Sequence, residues 1–133
     1  MERPSHAGLR HLALNVVNLD AMKTFYTELL GFVVEWQPDE DNIYLSSGVD
    51  NLALHRSAAY TSVSSHASAL DHLGLIVRHA DDVDRWAAFL ESHGVTLAMR
   101  PKTHRDGARS CYFSDPDGNK IQIIHHPPIS PKV

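Results

Sequence analysis

The chain has almost no cysteine and lacks a long apolar run. Its single cysteine, Cys111, excludes an internal disulfide framework and is typical of a reducing compartment, so we expect a cytoplasmic protein. No stretch approaches the roughly 18 consecutive apolar residues of a membrane-spanning helix. Residues 1–8 also lack the apolar core of a signal peptide. These absences predict no membrane partner.

Positive charge is also scarce and scattered. The 12 Lys and Arg residues are outnumbered by 16 Asp and Glu residues, and none of the basic residues forms a run that could follow a phosphate backbone. This pattern argues against a nucleic-acid partner. The remaining composition, 43% hydrophobic and 21% charged over 133 residues, predicts a single globular domain spanning residues 1–133.

One pattern occurs twice in the chain. Residues 10–16 and residues 71–77 are short apolar runs that read as strands, and a shift of 61 residues places His11 on His72. An amphipathic helix follows each run and ends at a glycine, Gly31 in the first copy and Gly94 in the second. A repeat of about half the chain predicts two copies of one module.

Each copy reads as β-α-β-β-β, which predicts an α+β fold with modules at about 9–56 and 70–126. In the first, strands are predicted at 9–17, 32–36, 43–46 and 52–56, and Asp20 is expected to cap the helix. In the second, strands are predicted at 71–77, 95–99, 109–113 and 120–125, and Asp81 is expected to cap the helix. Residues 101–108 are expected to be a polar loop, and residues 57–69 a linker.

The two histidines have small neighbours on the same face of their strands. Side chains alternate along a strand, so His11 shares a face with Ala13, and His72 shares a face with Gly74. A small residue beside a histidine leaves space next to a side chain that commonly binds ligands. This arrangement predicts a cavity in front of the histidines.

Two further segments carry a family resemblance. Residues 25–32, FYTELLGF, and residues 115–121, DPDGNKI, resemble the two signatures of the vicinal oxygen chelate superfamily. That superfamily includes glyoxalase I, methylmalonyl-CoA epimerase, fosfomycin-resistance thiol transferases, extradiol dioxygenases and bleomycin-resistance proteins. The resemblance covers residues 9–125 and implies paired β-α-β-β-β modules whose sheets curve around a cleft. It also implies a homodimer.

The resemblance implies a divalent metal ion, such as Zn, Ni, Co, Mn or Fe. It implies the ligands His11 and His72 from the first strand of each module, and Gln122 where other members have a carboxylate. A fourth ligand position matches Ala53. His55 lies two residues further on the same face and could substitute for it, or a β-bulge could bring His55 into register. The alternative is that these histidines are buried and hydrogen-bonded to the backbone.

Gln122 limits the chemistry that the resemblance implies. A carboxylamide has no charge and cannot serve as the general base of a proton-transfer reaction. It also breaks the two-histidine, one-carboxylate set of iron dioxygenases. No catalytic residue is therefore assigned from the sequence.

Further polar residues are candidates for contact with a small-molecule substrate. The resemblance places Tyr112 on the face of the cleft, Ser110 shares that face, and His55 is a third candidate. Cys111 should lie on the opposite face as a packing residue. A basic segment could bind an anionic substrate; its members are Lys102, His104, Arg105 and Arg109.

The resulting functional hypothesis is a metal-dependent, glyoxalase-like lyase or isomerase acting on a small oxygen-rich molecule. The first alternative is a metal-free small-molecule binding protein of the bleomycin-resistance type. The second alternative is an extradiol-type dioxygenase.

Overall fold

The computed structural model of the chain describes residues 1–58 and 69–132. The chain divides into two compact units, residues 1–62 and residues 63–133. Most of the predicted linker lies outside the described residues, and the prediction of a single domain stays a prediction. None of the helices in the described residues is long and apolar enough to cross a membrane.

The first unit is a four-stranded sheet covered on one face by helix. Its elements, in chain order, are β1 (His11–Val16), α1 (Leu19–Thr24), a π-helical turn (Phe25–Leu29), β2 (Val33–Trp36), β3 (Asn42–Ser46) and β4 (Asn51–Arg56). The strand order is β1-β4-β3-β2, and only the pairing of β1 with β4 is parallel. The apolar side chains of β3 and β4 alternate inward and are buried with Met22 and Tyr26.

The second unit repeats this arrangement. Its elements are β5 (Leu73–Ile76), α2 (Ala80–Ser92), β6 (Met99–Thr103), β7 (Arg109–Ser114) and β8 (Lys120–His125). The strand order is β5-β8-β7-β6, with β5 parallel to β8 and the other pairs antiparallel. The predicted α+β fold and the β-α-β-β-β order of both modules are therefore confirmed.

Both helix caps differ from the prediction. The N-cap of α1 is Asn18, whose Oδ1 accepts a hydrogen bond from the backbone N–H of Ala21 at 3.0 Å, so Asp20 lies in the first turn. The N-cap of α2 is His79, whose backbone N–H donates to Asp82, so Asp81 also lies inside its helix. Acidic residues are favourable in a first turn as well as at a cap, which is why the sequence pattern did not separate these positions.

Two strands of the second unit also differ from the prediction. β5 begins at Leu73, so His72 directly precedes the strand. β6 occupies residues 99–103, where a loop was predicted, and not residues 95–99. It is an edge strand with an irregular register between Met99 and Lys102, and Pro101 lies at this irregularity. Proline and polar residues are tolerated on such edges, so the composition resembled that of a loop.

Both helices end as the sequence predicts. Gly31 and Gly94 each have a backbone φ of +79°, which is the left-handed conformation in which glycine has no Cβ penalty. The backbone N–H of the following residue reaches back to the last turn, with Phe32 bonding Tyr26 and Val95 bonding Leu90. The glycines therefore turn the chain from each helix into the next strand of its module.

The turn before β8 is organised by a buried carboxylate. Asp115 is only 5% exposed, and its Oδ1 accepts hydrogen bonds from the backbone N–H groups of Asp117 and Asn119 at 3.0 and 2.9 Å. Its Oδ2 accepts from the side chain of Asn119 at 2.9 Å. Because β8 begins at the next residue, Lys120, this turn determines the register in which Gln122 enters the sheet.

Replacing Asp115 with Ala should destabilise the protein by about 2–4 kcal/mol, because three hydrogen bonds to a buried charged group are lost. The variant Asp115→Asn should lose less, because its amide oxygen can still accept from the two backbone N–H groups. Chemical denaturation of both variants checks the ranking. Equal stability of Asp115→Ala and the wild-type protein would contradict this account of the turn.

Candidate functional site

One face of the second sheet brings together three of the predicted site residues. Gln122 pairs with Gly74 on β5 and with Tyr112 on β7, so the three positions form a row across the strands. His72 lies next to this row, with its ring centroid 5.4 Å from that of Tyr112 and the two planes at 77°. The structure thus places His72, Tyr112 and Gln122 in one cluster.

The amide of Gln122 has a defined orientation. Its Nε2 donates a hydrogen bond to the Tyr112 hydroxyl at 3.1 Å, and the residue is only 8% exposed. A Cβ atom added at Gly74 would lie 3.9 Å from Oε1 of Gln122, so the glycine leaves space in front of that oxygen. The neutral oxygen, and not the NH₂ group, therefore faces the open position above Gly74.

A carboxylate fixes the tautomer of His72. Its Nδ1 lies 2.6 Å from Oδ1 of Asp71, and an ionised carboxylate can only accept a hydrogen bond. Nδ1 consequently carries the proton, and Nε2 keeps a lone pair for a ligand. The hydrogen bond from His72, and then the charge of Lys120, lower the pKa of Asp71 below its usual value. Asp71 therefore stays ionised at neutral pH.

Lys120 adds a positive charge to the same face. Its Nζ lies 5.4 Å from the centroid of the Tyr112 ring, within the range of a cation–π interaction. The Tyr112 ring therefore packs edge-to-face with the His72 imidazole and lies near the Lys120 ammonium group. Because the Tyr112 oxygen already accepts from Gln122, its hydrogen remains available to donate to a ligand oxygen.

A groove next to this cluster carries the predicted basic segment. The groove is lined by Lys102, Thr103, His104, Arg105, Asp106, Ala108, Tyr112, Gln122 and Ile124. Lys102 and Arg105 supply cationic groups at its wall. Ser110 is fully buried, and its hydroxyl lies 2.8 Å from Nε2 of His104. The Ser110 hydroxyl is therefore already hydrogen-bonded to His104. The predicted contact of Ser110 with a substrate stays a prediction.

Two neighbouring residues point away from this groove. Arg109 donates to both carboxylate oxygens of Asp84 on α2, at 2.8 and 2.6 Å, so it serves as a clamp between helix and sheet. Cys111 is fully buried on the helix side of the sheet, and burial raises the pKa of its thiol to about 11. A thiol with this pKa is protonated at neutral pH and packs as an apolar group.

The first unit holds His11 in a related way. Asn51 lies opposite His11 in the parallel pairing of β1 with β4, and its Oδ1 is 2.8 Å from Nδ1 of His11. The Nδ2 of Asn51 donates to Oε2 of Glu35 at 2.9 Å. Because the carboxylate accepts from the amide NH₂, the amide oxygen faces His11. Nδ1 of His11 is therefore the protonated nitrogen, as in His72.

His55 has a third arrangement of this kind, on the same sheet. Its Nδ1 lies 2.6 Å from Oδ1 of Asn42, and Nδ2 of Asn42 donates to both oxygens of Asp39 at 2.9 and 3.1 Å. Through residues 51–56, β4 pairs with β1 without a register shift, so Ala53 lies opposite Ala13 and His55 lies opposite Asn15. The bulge that would bring His55 into register is thus not formed.

The register shows which residues of the two units are equivalent. Tyr44 pairs with Ala53 in the first unit, as Tyr112 pairs with Gln122 in the second. Tyr44 also stacks on Trp36 with the centroids 5.2 Å apart, which forms an exposed aromatic surface. The equivalent of Gln122 in the first unit is therefore Ala53, as the sequence predicts, and it offers no ligand atom.

Several polar partners of these side chains were not predicted from the sequence: Asp39, Asn42, Asn51, Asp71 and Lys120. Asp71 had a visible signal, since it directly precedes His72. The two asparagines reach their histidines across neighbouring strands, and that proximity depends on a register that local patterns do not reveal.

The donors available for a metal ion are neutral. In the second unit they are Nε2 of His72 and Oε1 of Gln122, and in the first unit Nε2 of His11 is a donor of the same neutral kind. Among residues 1–58 and 69–132, no group of three His, Cys, Asp or Glu side chains could hold a metal ion.

Comparison with known proteins relates this chain to one superfamily. The family model described as the Glyoxalase/Bleomycin resistance protein/Dioxygenase superfamily matches residues 8–123. The glutathione transferase FosA of Serratia marcescens is 33% identical over 118 residues, which cover 87% of this chain and 79% of FosA. The metallothiol transferase FosB of Bacillus licheniformis is 27% identical over 124 residues, covering 92% and 78%.

A solved structure has the same fold. The lactoylglutathione lyase from Agrobacterium tumefaciens superposes with a TM-score of 0.77 at 19% identity, covering 92% of this chain and 96% of the lyase. At this identity the likeness establishes the fold alone.

The space above Gly74 can be tested without disturbing the fold. A Cβ at Gly74 would meet Ile124 and Gln122 only at 3.7 Å or more, which is ordinary van der Waals contact. Gly74→Ala should therefore keep or raise the free energy of unfolding, by up to about 1 kcal/mol, because Ala loses less backbone entropy on folding. The control Gly31→Ala should lose about 1 kcal/mol, since φ is +79° there. A large destabilisation by Gly74→Ala would show that Gly74 is required for folding and not for space.

Proposed function

The chain belongs to the Glyoxalase/Bleomycin resistance protein/Dioxygenase superfamily, and from this we propose that it is a metal-dependent enzyme acting on a small, oxygen-rich, anionic molecule. The proposed ligands are His11, His72 and Gln122. We further propose that the reaction is the transfer of a thiol to that molecule. The observation that carries the choice of reaction is the amide of Gln122 beside His72 and Tyr112.

A neutral residue at position 122 favours thiol transfer over proton transfer. A lyase or isomerase of the glyoxalase type must remove a proton from carbon, and it needs a general base to do so. An amide cannot accept that proton. A thiol brings its own acidic proton, so its addition does not need a carboxylate at this position. The glutathione transferase FosA and the metallothiol transferase FosB are similar to this chain over most of its length.

The residues of the second unit suit such an addition. A bound divalent ion would supply Lewis-acid polarisation of a substrate oxygen. Lys102 and Arg105 would attract the anionic group of the substrate into the groove that they line. In the addition, a sulfur–carbon bond forms and a carbon–oxygen bond breaks. The hydroxyl of Tyr112 can donate a hydrogen bond to the oxygen that leaves, and the thiol proton ends on that oxygen.

Two other functions make different demands on the site. A metal-free binding protein of the bleomycin-resistance type would also be compatible with Gln122, because it requires no charged ligand. An extradiol-type dioxygenase requires two histidines and a carboxylate, which residues 11, 72 and 122 do not provide. Metal binding therefore separates the proposed enzyme from the binding protein, and the reaction assay separates it from the lyase.

The activity test compares reactions directly. The protein, supplied with Mn²⁺ or Zn²⁺, is incubated with glutathione and a small anionic epoxide such as fosfomycin, and in parallel with the hemithioacetal of glutathione and methylglyoxal. The expected result is metal-dependent loss of free thiol in the first mixture and no metal-dependent formation of a thioester from the hemithioacetal in the second. Turnover of the hemithioacetal alone would replace thiol transfer by the glyoxalase-type reaction.

Metal affinity should respond to charge at position 122. Gln122→Glu should tighten binding of Mn²⁺ or Zn²⁺ by about tenfold or more, because it places an opposite charge at contact distance. The control Gln37→Glu adds the same charge on the first unit, at a side chain that accepts from Lys23, and should leave the dissociation constant unchanged. Isothermal titration calorimetry measures both variants. If Gln122→Glu has no effect on the dissociation constant, Gln122 is not a ligand.

We also propose that two copies of the chain associate as a homodimer. The edge strand β2 exposes three apolar side chains, with Val33 62%, Val34 43% and Trp36 59% exposed. An edge strand with this surface can pair with a second copy of itself. Light scattering at micromolar concentration should give twice the chain mass. Val33→Lys should lower that mass, whereas Val49→Lys, which alters an exposed apolar residue outside the strands, should not.

A further inference from the structure

We propose that Asn51, oriented by Glu35, is a positioning residue that holds His11 in the tautomer with Nε2 free for a metal ion. This inference rests on the proposed function only in naming the metal as the ligand of Nε2. The tautomer itself is a property of the metal-free protein.

Glu35 determines the direction of the Asn51 amide. Glu35 Oε2 lies 2.9 Å from Nδ2 of Asn51, and an ionised carboxylate offers only acceptor atoms. The NH₂ group of Asn51 must therefore face Glu35. Reversing the amide would place its oxygen against the carboxylate and its NH₂ against His11.

The direction of the Asn51 amide determines which ring nitrogen of His11 carries the proton. Oδ1 of Asn51 lies 2.8 Å from Nδ1 of His11, so Nδ1 must donate. A neutral imidazole carries one N–H, and Nε2 is then the nitrogen with the free lone pair. Glu35 thus determines, through one amide, which nitrogen of His11 can bind a ligand.

In the second unit a different contact also leaves Nε2 of the histidine free. His72 follows Asp71 in the chain, and the carboxylate contacts Nδ1 directly at 2.6 Å. In the first unit, residue 10 is Arg10, whose guanidinium cannot accept a hydrogen bond from His11. Two differently built partners therefore leave Nε2 free on the two histidines that occupy equivalent positions in the repeat.

The chain also contains a matched control. Asp39 orients Asn42, and Asn42 contacts Nδ1 of His55 at 2.6 Å, which repeats the chemistry of Glu35, Asn51 and His11 on the same sheet. His55 is outside the proposed ligand set, because β4 places Ala53 at the position equivalent to Gln122. Removing the Asn42 amide should therefore change His55 and leave His11 and metal binding alone.

The experiment uses the full chain with ¹⁵N-labelled histidine, free of metal, at about pH 8, where an unperturbed imidazole is neutral. The ring ¹⁵N chemical shifts of His11 report its tautomer, and calorimetric titration with Mn²⁺ or Zn²⁺ reports the dissociation constant. The variants are Asn51→Leu, Asn51→Asp, Glu35→Gln and the control Asn42→Leu. Thermal unfolding of each variant reports whether it folds.

The wild-type protein should hold His11 as the Nδ1–H tautomer. Asn51→Leu, which keeps the size of the side chain, should lose this preference and weaken metal binding by about 10- to 100-fold. Asn51→Asp keeps an acceptor for Nδ1 and should keep the tautomer, while its second carboxylate oxygen repels Glu35 and should lower the thermal stability. Glu35→Gln, which can face Asn51 with either end of its amide, should give a partial effect. Asn42→Leu should shift only His55.

Unchanged ring shifts of His11 in folded Asn51→Leu would overturn the proposal. The same holds if metal affinity in that variant stays within about twofold of the wild type while the wild-type protein binds metal. A wild-type protein that holds His11 as Nδ1–H but binds no ion would overturn the metal-dependent function. The positioning of His11 by Asn51 would stand in that case, so the two failures are distinguishable.

Discussion

The parallel pairing of the first strand with the last strand of each module places the central polar groups of the site. In the first unit this pairing sets Asn51 opposite His11, and in the second it sets Gln122 opposite Gly74. These partners are about 40 to 50 residues apart in the chain, so only the sheet brings them together. Because side chains alternate, a shift of one residue would turn Gln122 toward the helix and bury its amide without a partner.

The two units use the same pairing to hold different side chains. Tyrosine is retained at equivalent positions, Tyr44 and Tyr112, but its partner on the neighbouring strand is Ala53 in one unit and Gln122 in the other. The tyrosine beside the alanine stacks with Trp36, whereas the tyrosine beside the glutamine accepts a hydrogen bond from it. The repeat therefore preserves the framework, while the polar chemistry at position 122 is confined to the second unit.

The sequence was informative where a feature depends on neighbouring residues. The repeat, the glycine ends of both helices and the turn at 115–118 were predictable because each has a local conformational cause. The edge strand β6 was missed because an edge tolerates proline and exposed polar residues, and its composition does not differ from that of a loop. The caps were placed two residues late because Asp20 and Asp81 are equally favourable inside a first turn.

The same distinction applies to the candidate site. His11, His72 and Gln122 could be proposed as ligands from the repeat and the family resemblance, because the repeat relates the two histidines and a signature segment precedes Gln122. The residues behind the histidines could not be placed, since Asn51 reaches His11 only across the sheet and Glu35 reaches Asn51 from a further strand. A pattern within one strand contains no information on contacts of this kind.

These hidden contacts change the electrostatic description of the site. The atoms proposed to face an ion are all neutral, yet an acidic side chain lies behind each of the two histidines, Asp71 directly and Glu35 through Asn51. A carboxylate that accepts a hydrogen bond from Nδ1–H makes Nε2 a stronger electron-pair donor to a metal ion. In the proposed site the negative charge is located one hydrogen bond behind His72 and two hydrogen bonds behind His11, where it strengthens the imidazoles as ligands. Such a site would polarise a substrate oxygen through its metal ion and would have no carboxylate ligand to act as a general base.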